Sequence, residues 1–195
     1  MSGVSTELGP GNDSWPSGSD NNALNDTIDG QAGDDTIDGG LGDDSINGGD
    51  NNDILVGGGG DDRLLGGTGD DSLLDLSGGF DDLLGEEGND TLVGIDYDGL
   101  SNEFVVADYA DQTRGLSVNL ASGIVNDGLG GIDQLVNIRG AIMYGDFADT
   151  LIGTNGDDWL APSGGNDSIS GGLGFDVLSY DGHPTRGVSV NLATG

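Results

Sequence analysis

One short hydrophobic pattern recurs along most of the chain: an aspartate, one variable residue, then Ile or Leu, with several glycines before the aspartate. Clear copies are GQAGDDTID at 30–38, GGLGDDSIN at 39–47 and GGTGDDSLL at 66–74. Because the glycines permit positive φ, the first six residues of each nine predict a turn. The last three predict a very short strand whose central aliphatic side chain points into a core.

Twelve copies of this nine-residue repeat, or nonad, form two blocks, eight copies at 21–93 and four at 144–179. One inserted residue, Asp75, interrupts the first block. The sixth position is aspartate in every copy: Asp26, Asp35, Asp44, Asp53, Asp62, Asp71, Asp81, Asp90, Asp149, Asp158, Asp167 and Asp176. The eighth position is always Ile or Leu: Ile28, Ile37, Ile46, Leu55, Leu64, Leu73, Leu83, Leu92, Leu151, Leu160, Ile169 and Leu178. This fixed spacing argues against a flexible, solvated linker.

The segments outside the two blocks read differently. In the connecting segment 94–143, Leu116, Val118 and Leu120 alternate with polar residues as in a half-buried strand, and 134–142 is a second β-prone stretch. We expect this segment to extend or join the two blocks and to bury Phe104 and Tyr109 at the junction. Residues 1–20 show no periodicity and predict an irregular lead-in. Residues 180–195 predict the start of a further repeat unit that is cut short, as in a fragment or a truncated product.

Charge narrows the possible functions. The 195 residues include 36 acidic and four basic residues, for a net charge of −32, and no cysteine. Four scattered arginines cannot form a basic patch, which excludes nucleic-acid binding. Disulfides and thiolate metal sites are excluded, and no apolar run reaches the length of a membrane span. A chain that repels itself this strongly is expected to fold only when hard cations neutralise its aspartates.

The nonad resembles the glycine-rich repeat of RTX (repeats-in-toxin) proteins, G-G-x-G-x-D-x-U-x, where U is a large aliphatic residue. The segment 108–123 also recurs, with one insertion, as 179–195, and such VNLATG-type units are familiar between RTX blocks. The resemblance implies an all-β fold, a parallel right-handed β-roll (β-solenoid) in two stacks joined by a β-rich linker segment. Two nonads then make one coil, so that residues 18 apart stack.

The coil spacing suits calcium. Stacked strands lie about 4.7–4.9 Å apart, and a Ca²⁺ ion with an oxygen on each side at about 2.3–2.6 Å spans a similar distance. A calcium ion between successive coils can therefore take an aspartate and backbone carbonyls from each. Aspartate is short enough for this role, and 32 of the 36 acidic residues are aspartates. The resemblance implies that Asp35 pairs with Asp53, Asp44 with Asp62 and so on, with about eight Ca²⁺ ions in all.

The candidate metal ligands are the twelve repeat aspartates. The candidate carbonyl ligands are repeat glycines: Gly30, Gly33, Gly39, Gly42, Gly48, Gly57, Gly60, Gly66, Gly69, Gly153, Gly156, Gly171 and Gly174. An EF-hand at 96–103 fails because Gly99 is at the fourth position of the loop rather than the sixth. A phosphate-binding loop fails because no Gly-Lys-Ser/Thr follows the glycines.

No catalytic set is evident. The single histidine, His183, lies in a turn-like Asp-Gly-His-Pro sequence, and neither H-E-x-x-H nor G-x-S-x-G occurs. The leading hypothesis is a calcium-binding module of a secreted, extracellular protein exported by a type I system, in agreement with the lack of a Sec-type signal at 1–20. One alternative is the accessory module of an RTX protease, lipase or epimerase whose catalytic domain lies outside this chain. Another is an adhesin or ice-binding roll, although the fifth repeat position lacks a threonine ladder. A cell-surface or extracellular partner stays unidentified.

Overall fold

The computed structural model describes residues 5–15, 24–75, 77–94, 104–110, 112–180 and 189–191, and these contain strands and turns but no helix. His183 and most of 180–195 lie outside the described residues. The strands of the first half are β1 (Ser5–Glu7), β2 (Ser14–Trp15), β3 (Thr27–Asp29), β4 (Thr36–Leu41), β5 (Ser45–Asp50), β6 (Ile54–Gly59), β7 (Arg63–Thr68), β8 (Ser72–Leu74), β9 (Phe80–Glu87) and β10 (Thr91–Val93). Those of the second half are β11 (Phe104–Tyr109), β12 (Ser117–Asn119), β13 (Ile124–Val125), β14 (Asp133–Val136), β15 (Gly140–Met143), β16 (Thr150–Ile152), β17 (Trp159–Ala161), β18 (Ser168–Ser170), β19 (Val177–Leu178) and β20 (Ser189–Asn191).

The strands alternate between two long sheets, so that the chain winds as a β-solenoid of about eight turns. Sheet 1 has the order β1-β3-β5-β7-β9-β11-β15-β17-β19, and sheet 2 has the order β2-β4-β6-β8-β10-β14-β13-β12-β16-β18-β20. Neighbours pair in parallel except around β13, which is antiparallel to β12 and β14. The predicted all-β, parallel roll is therefore confirmed.

The strand register follows the nonad. Ile28 lies opposite Ile46, and Ile46 lies opposite Leu64, a step of 18 residues each time. The step becomes 19 where Leu64 meets Leu83. The sequence alignment treats Asp75 as the inserted residue, but β6 and β8 stay in register up to the residue before it, which leaves Asp75 opposite Gly57. The extra residue therefore lies after Asp75, in the turn before β9.

The connecting segment continues both sheets and joins the two blocks. In sheet 1, β11 pairs with β9 and β15, and in sheet 2, β10 pairs with β14. The alternation at Leu116 to Leu120 forms β12 as expected, with Val118 buried. The stretch 134–142 forms parts of two strands, β14 and β15, rather than one. Tyr109 is buried as predicted, whereas Phe104 is half-buried and stacks on Phe80.

The first residues also differ from the expected irregular lead-in. Strand β1 pairs with β3, and β2 pairs with β4, with Trp15 opposite Ile37. The described part of 1–20 thus extends both sheets by one coil, in which Trp15 and Thr6 stand where the repeats have Ile or Leu.

A single hydrophobic core runs the length of the solenoid. Eleven of the twelve repeat aliphatic residues are exposed by 2% or less, and Leu178, near the end of the described chain, is half-buried. Each coil contributes few large side chains, so the core is narrow. The described residues include no helix with the length and apolarity that a membrane crossing requires.

Leu135 tests whether the core is continuous through the connecting segment. It lies opposite Leu92 and is 6% exposed, so Leu135→Ala should lower the free energy of unfolding by about 2–5 kcal/mol. Denaturant unfolding at saturating calcium measures this change. Ile132→Ala is the control, because Ile132 lies in the same segment and is 54% exposed. Equal effects of the two substitutions would contradict a continuous core.

Candidate metal sites beside the two sheets

Each repeat aspartate except Asp81, the second residue of β9, lies directly before a strand, and each contacts a neighbouring coil. Asp53 is typical: its Oδ1 accepts the N–H of Asp35 at 2.7 Å, and its own N–H donates to Asp71 Oδ1 at 2.8 Å. Repetition of this bond produces two rows. The row beside sheet 1 contains Asp26, Asp44, Asp62 and Asp81. The row beside sheet 2 contains Asp13, Asp35, Asp53, Asp71, Asp90 and Asp133.

The second carboxylate oxygen of most row members has no hydrogen-bond partner although it is buried. The repeat aspartates with such an Oδ2 are Asp35, Asp44, Asp53, Asp62, Asp71, Asp90 and Asp167. A buried carboxylate oxygen without a donor is costly. These oxygens therefore mark the positions where the fold can use a cation.

Glycine carbonyls face these oxygens. A Cβ added at Gly66 would lie 2.5 Å from Asp71 Oδ2 and 2.7 Å from the carbonyl oxygen of Gly85 on the next coil. At Gly30 the same atom would meet Asp35 Oδ2 at 2.6 Å and the carbonyl oxygen of Gly48. The first glycine of the nonad thus leaves a space that a carboxylate and a carbonyl oxygen approach from successive coils. Carboxylate and carbonyl oxygens are the ligands that Ca²⁺ prefers, so these residues fit the ion.

The glycine at the fourth position of the nonad has a different local role. Gly69 has φ +142°, and a Cβ there would lie 2.5 Å from the carbonyl carbon of Asn51 on the preceding coil. Glycine is therefore required at this position for backbones to approach closely. A role of these glycines as carbonyl ligands stays a prediction.

Burial makes the rows electrostatically unfavourable when they are ionised. Burial raises the pKa of Asp53 to about 6, against the lowering effect of the Asp35 N–H. Burial, together with the charges of Asp90 and Asp53, raises the pKa of Asp71 to about 7. The interior thus opposes ionisation in the absence of a counterion.

The second block contains both regular and irregular positions. Asp149 Oδ1 accepts the N–H of Leu116, and Asp167 Oδ1 accepts the N–H of Asp149 at 3.0 Å, so this part follows the repeat rule. Asp158 Oδ1 is instead 2.9 Å from the Thr154 hydroxyl, and its Oδ2 accepts the Thr154 N–H at 2.7 Å. Asp176, which accepts the Asp158 N–H at 3.3 Å, is half-buried.

Arg139 lies next to Asp158 in place of a repeat aspartate. The Trp159 N–H donates to the Arg139 carbonyl oxygen at 2.9 Å, as the Ile54 N–H donates to that of Asp35. The Arg139 guanidinium donates twice to the carbonyl oxygen of Asp157 and has its Nε 3.7 Å from Asp158 Oδ1. Asp158 therefore has a protein cation and a threonine as partners, unlike the other predicted ligands.

Two row members were missed by the sequence reasoning. Asp133 Oδ1 accepts the Asp90 N–H at 3.2 Å, and Leu135 follows it in the core. The segment 128–136, GLGGIDQLV, is thus a further nonad whose glycine, aspartate and leucine spacing was a usable signal. Asp13 donates its N–H to Asp35 Oδ1 at 2.7 Å. Its signal was weaker because Trp15 replaces the aliphatic residue.

A second buried acid of the connecting segment, Asp127, lies close enough to Asp133 to affect its pKa. Asp127 Oδ1 accepts the N–H groups of Leu129, Gly130 and Gly131, while its Oδ2 is buried without a partner. Burial, together with the charges of Asp90 and Asp127, raises the pKa of Asp133 to about 7. The acidic environment of the repeats therefore continues into the segment between the blocks.

Rows of buried carboxylates on a parallel β-solenoid define a repeat protein suited to binding cations through oxygen ligands. A family model for the RTX calcium-binding nonapeptide repeat matches the chain in four copies, at 20–55, 38–73, 75–94 and 143–178. Together the four copies cover more than half of the chain, which therefore belongs to the RTX calcium-binding nonapeptide repeat family. No curated protein matches the chain.

The raised pKa values predict how the metal-free chain responds to acid. Because the fold raises the pKa of Asp44 and Asp53 to about 6 and of Asp71 to about 7, the folded chain binds more protons than the unfolded chain between about pH 4 and pH 7. The stability of the metal-free fold should fall as pH rises through this window. Lowering the pH from about 7.5 to about 5 should therefore increase β-structure.

Far-UV circular dichroism of the metal-free chain measures this gain. The calcium-loaded chain is the control and should show the opposite trend, because protons compete with the metal for carboxylates. Loss of β-structure on acidification of the metal-free chain would contradict the prediction.

Proposed function

We propose that the chain is a calcium-dependent β-roll module of an extracellular protein, exported by a type I system and folded by Ca²⁺ outside the cell. The observation that carries this proposal is the set of buried, unpartnered aspartate oxygens that face glycine carbonyls of the next coil. The proposed ligands are the twelve repeat aspartates with the repeat glycine carbonyls. Asp133 and Asp13 are added as members of the same row.

Charge supports a role of the ion in folding. The net charge is −32, and about eight divalent ions would halve it. Calcium supplies positive charge and accepts several oxygen ligands at once, in place of the donors that the Oδ2 atoms lack. The chain's own residues fix where these oxygens lie, through the N–H to Oδ1 bonds along each row. The ion then links neighbouring coils rather than creating a separate local site.

The difference in calcium concentration between the inside and the outside of the cell supports an extracellular location. Proteins with these repeats are generally secreted, and extracellular modules bind calcium with Kd values of about 10⁻⁴–10⁻³ M. Such affinities leave the sites empty where calcium is scarce and fill them outside the cell. The described residues consist of repeat coils and their connections, and the matched family is one of calcium-binding repeats. A non-catalytic role is therefore part of the proposal.

A metal titration tests the proposed function. The purified chain with chelator at neutral pH should be expanded and largely without β-structure, and about 1 mM Ca²⁺ should compact it. Mg²⁺ should act poorly, because it requires a small octahedral shell and retains its waters. Far-UV circular dichroism and small-angle X-ray scattering measure the two changes. A chain already compact and β-rich in chelator would overturn the proposal.

The burial and contacts of each aspartate in its row predict how strongly its substitution lowers the stability of the fold. Asp53 is 1% exposed and is bonded to the coils on both sides, whereas Asp26 is only half-buried. Asp53→Ala removes the acceptor of the Asp35 N–H and should reduce stability at saturating calcium by about 1–3 kcal/mol more than Asp26→Ala does.

Repeat arrays couple mainly to nearest neighbours, so the block at 144–179 should retain most of its calcium response in both variants. Calorimetric calcium titration of the two variants, with thermal unfolding of each, makes the comparison. Equal losses at both positions would show that the 18-residue pairing does not organise the sites.

A further inference from the structure

Asp75 breaks the repeat at a position where the neighbouring coils have glycine. It lies opposite Gly57, and its N–H donates to the carbonyl oxygen of Val93 at 2.8 Å. Gly94, one coil further, donates in the same way to Val136. Asp75 therefore occupies the column of first glycines, where regular coils present a backbone carbonyl to the preceding aspartate.

The Asp75 side chain points into the space that the regular coils keep for that carbonyl. A Cβ added at Gly57 would lie 2.7 Å from Asp62 Oδ2 and 2.6 Å from Asp75 Oδ2. Asp81, on the next coil of the row, completes a group of three carboxylates, each with an oxygen within 4.8 Å of the others. At a regular coil such as that of Gly66, the corresponding point has one carboxylate and one carbonyl oxygen.

All three side chains are almost fully buried, with exposures of 2% for Asp62 and 1% for Asp75 and Asp81. Apart from one another, the Oδ2 atoms of Asp62 and Asp75 have no hydrogen-bond partner. The nearby Arg63 does not neutralise the group, because its guanidinium pairs with Asp82 at 3.2 Å and Asp108 at 3.7 Å. Three buried carboxylates thus lie together, and two of their oxygens accept no hydrogen bond from outside the group.

We propose that Asp62, Asp75 and Asp81 form a three-carboxylate cation site, distinct in composition from the repeat sites, which binds Ca²⁺ more tightly than they do and fills first. The proposal rests on the proposed calcium-dependent function. Its physical basis is that calcium affinity rises with the number of charged ligands. Here a carboxylate replaces a neutral carbonyl, and burial limits competition from water.

Two substitutions at Asp75 test the site. Asp75→Gly restores the residue of the regular coil, and Asp75→Asn keeps the side-chain oxygen but removes its charge. If Asp75 is a ligand, both should raise the calcium concentration at the midpoint of folding by about threefold or more, because one charged ligand is lost. If Asp75 is only an excess buried charge, both should lower that midpoint, because repulsion in the metal-free chain decreases.

The measurements are circular dichroism titration and equilibrium dialysis with less than one equivalent of Ca²⁺. Asp38→Asn is the matched control, since it removes one charge from a half-buried residue of β4. It should leave the midpoint and the tight binding of the first equivalent close to wild type, whereas both Asp75 variants should lose that tight binding. If Asp75→Gly does not fold even at saturating calcium, Asp75→Asn decides.

The outcomes separate this inference from the general function. A wild-type chain that neither binds calcium nor folds with it overturns both. A wild-type chain that folds with calcium, together with Asp75 variants whose midpoints are unchanged or lower, overturns the three-carboxylate site alone.

Discussion

Burial of aspartates at fixed intervals is the constraint on which this structure depends. Each regular coil places carboxylates in turns that water hardly reaches, and a single backbone N–H per carboxylate satisfies only one of its two oxygens. Rotating the side chain cannot remove the free-energy cost of burying Oδ2 without a hydrogen bond, because Oδ1 is held by a backbone N–H of the neighbouring coil. Neutralisation must therefore come from outside the chain or from a change in sequence.

The narrow core explains why this cost matters. Typical repeat strands contribute one large buried side chain, such as Leu55 in β6 or Leu64 in β7. Glycine-rich turns provide close backbone packing in place of side-chain contacts. Hydrophobic burial per residue is correspondingly small. A fold with a broad hydrophobic core can offset the cost of a few buried charges. Here each regular coil of two nonads buries two carboxylates over a narrow core. Under the proposed function, stability is therefore tied to the counterion along both rows of aspartates.

The nine-residue period was enough to predict the short strands and the inward aliphatic residues. The RTX resemblance implied the stacking of residues 18 apart, which the strand register confirms. Prediction failed where register depends on pairing rather than period. Asp133 has the nonad spacing, but its place next to Asp90 follows only from the pairing of β14 with β10, 43 residues away. Trp15 marks a coil only once its strand is seen to pair. The position of Asp75 likewise depends on strand pairing, because the extra residue lies between β8 and β9 rather than before Asp75.

Departures from the repeat make the coils unequal. At Arg139 the chain supplies its own cation to Asp158, so that this coil needs less neutralisation by metal. At Asp75 the chain adds a third carboxylate and increases the need for metal. In an array coupled through nearest neighbours, such differences decide where order begins and how it spreads. A strictly regular sequence would leave every coil equivalent, whereas these two residues give the solenoid one position that is partly neutralised and one that attracts cations most strongly.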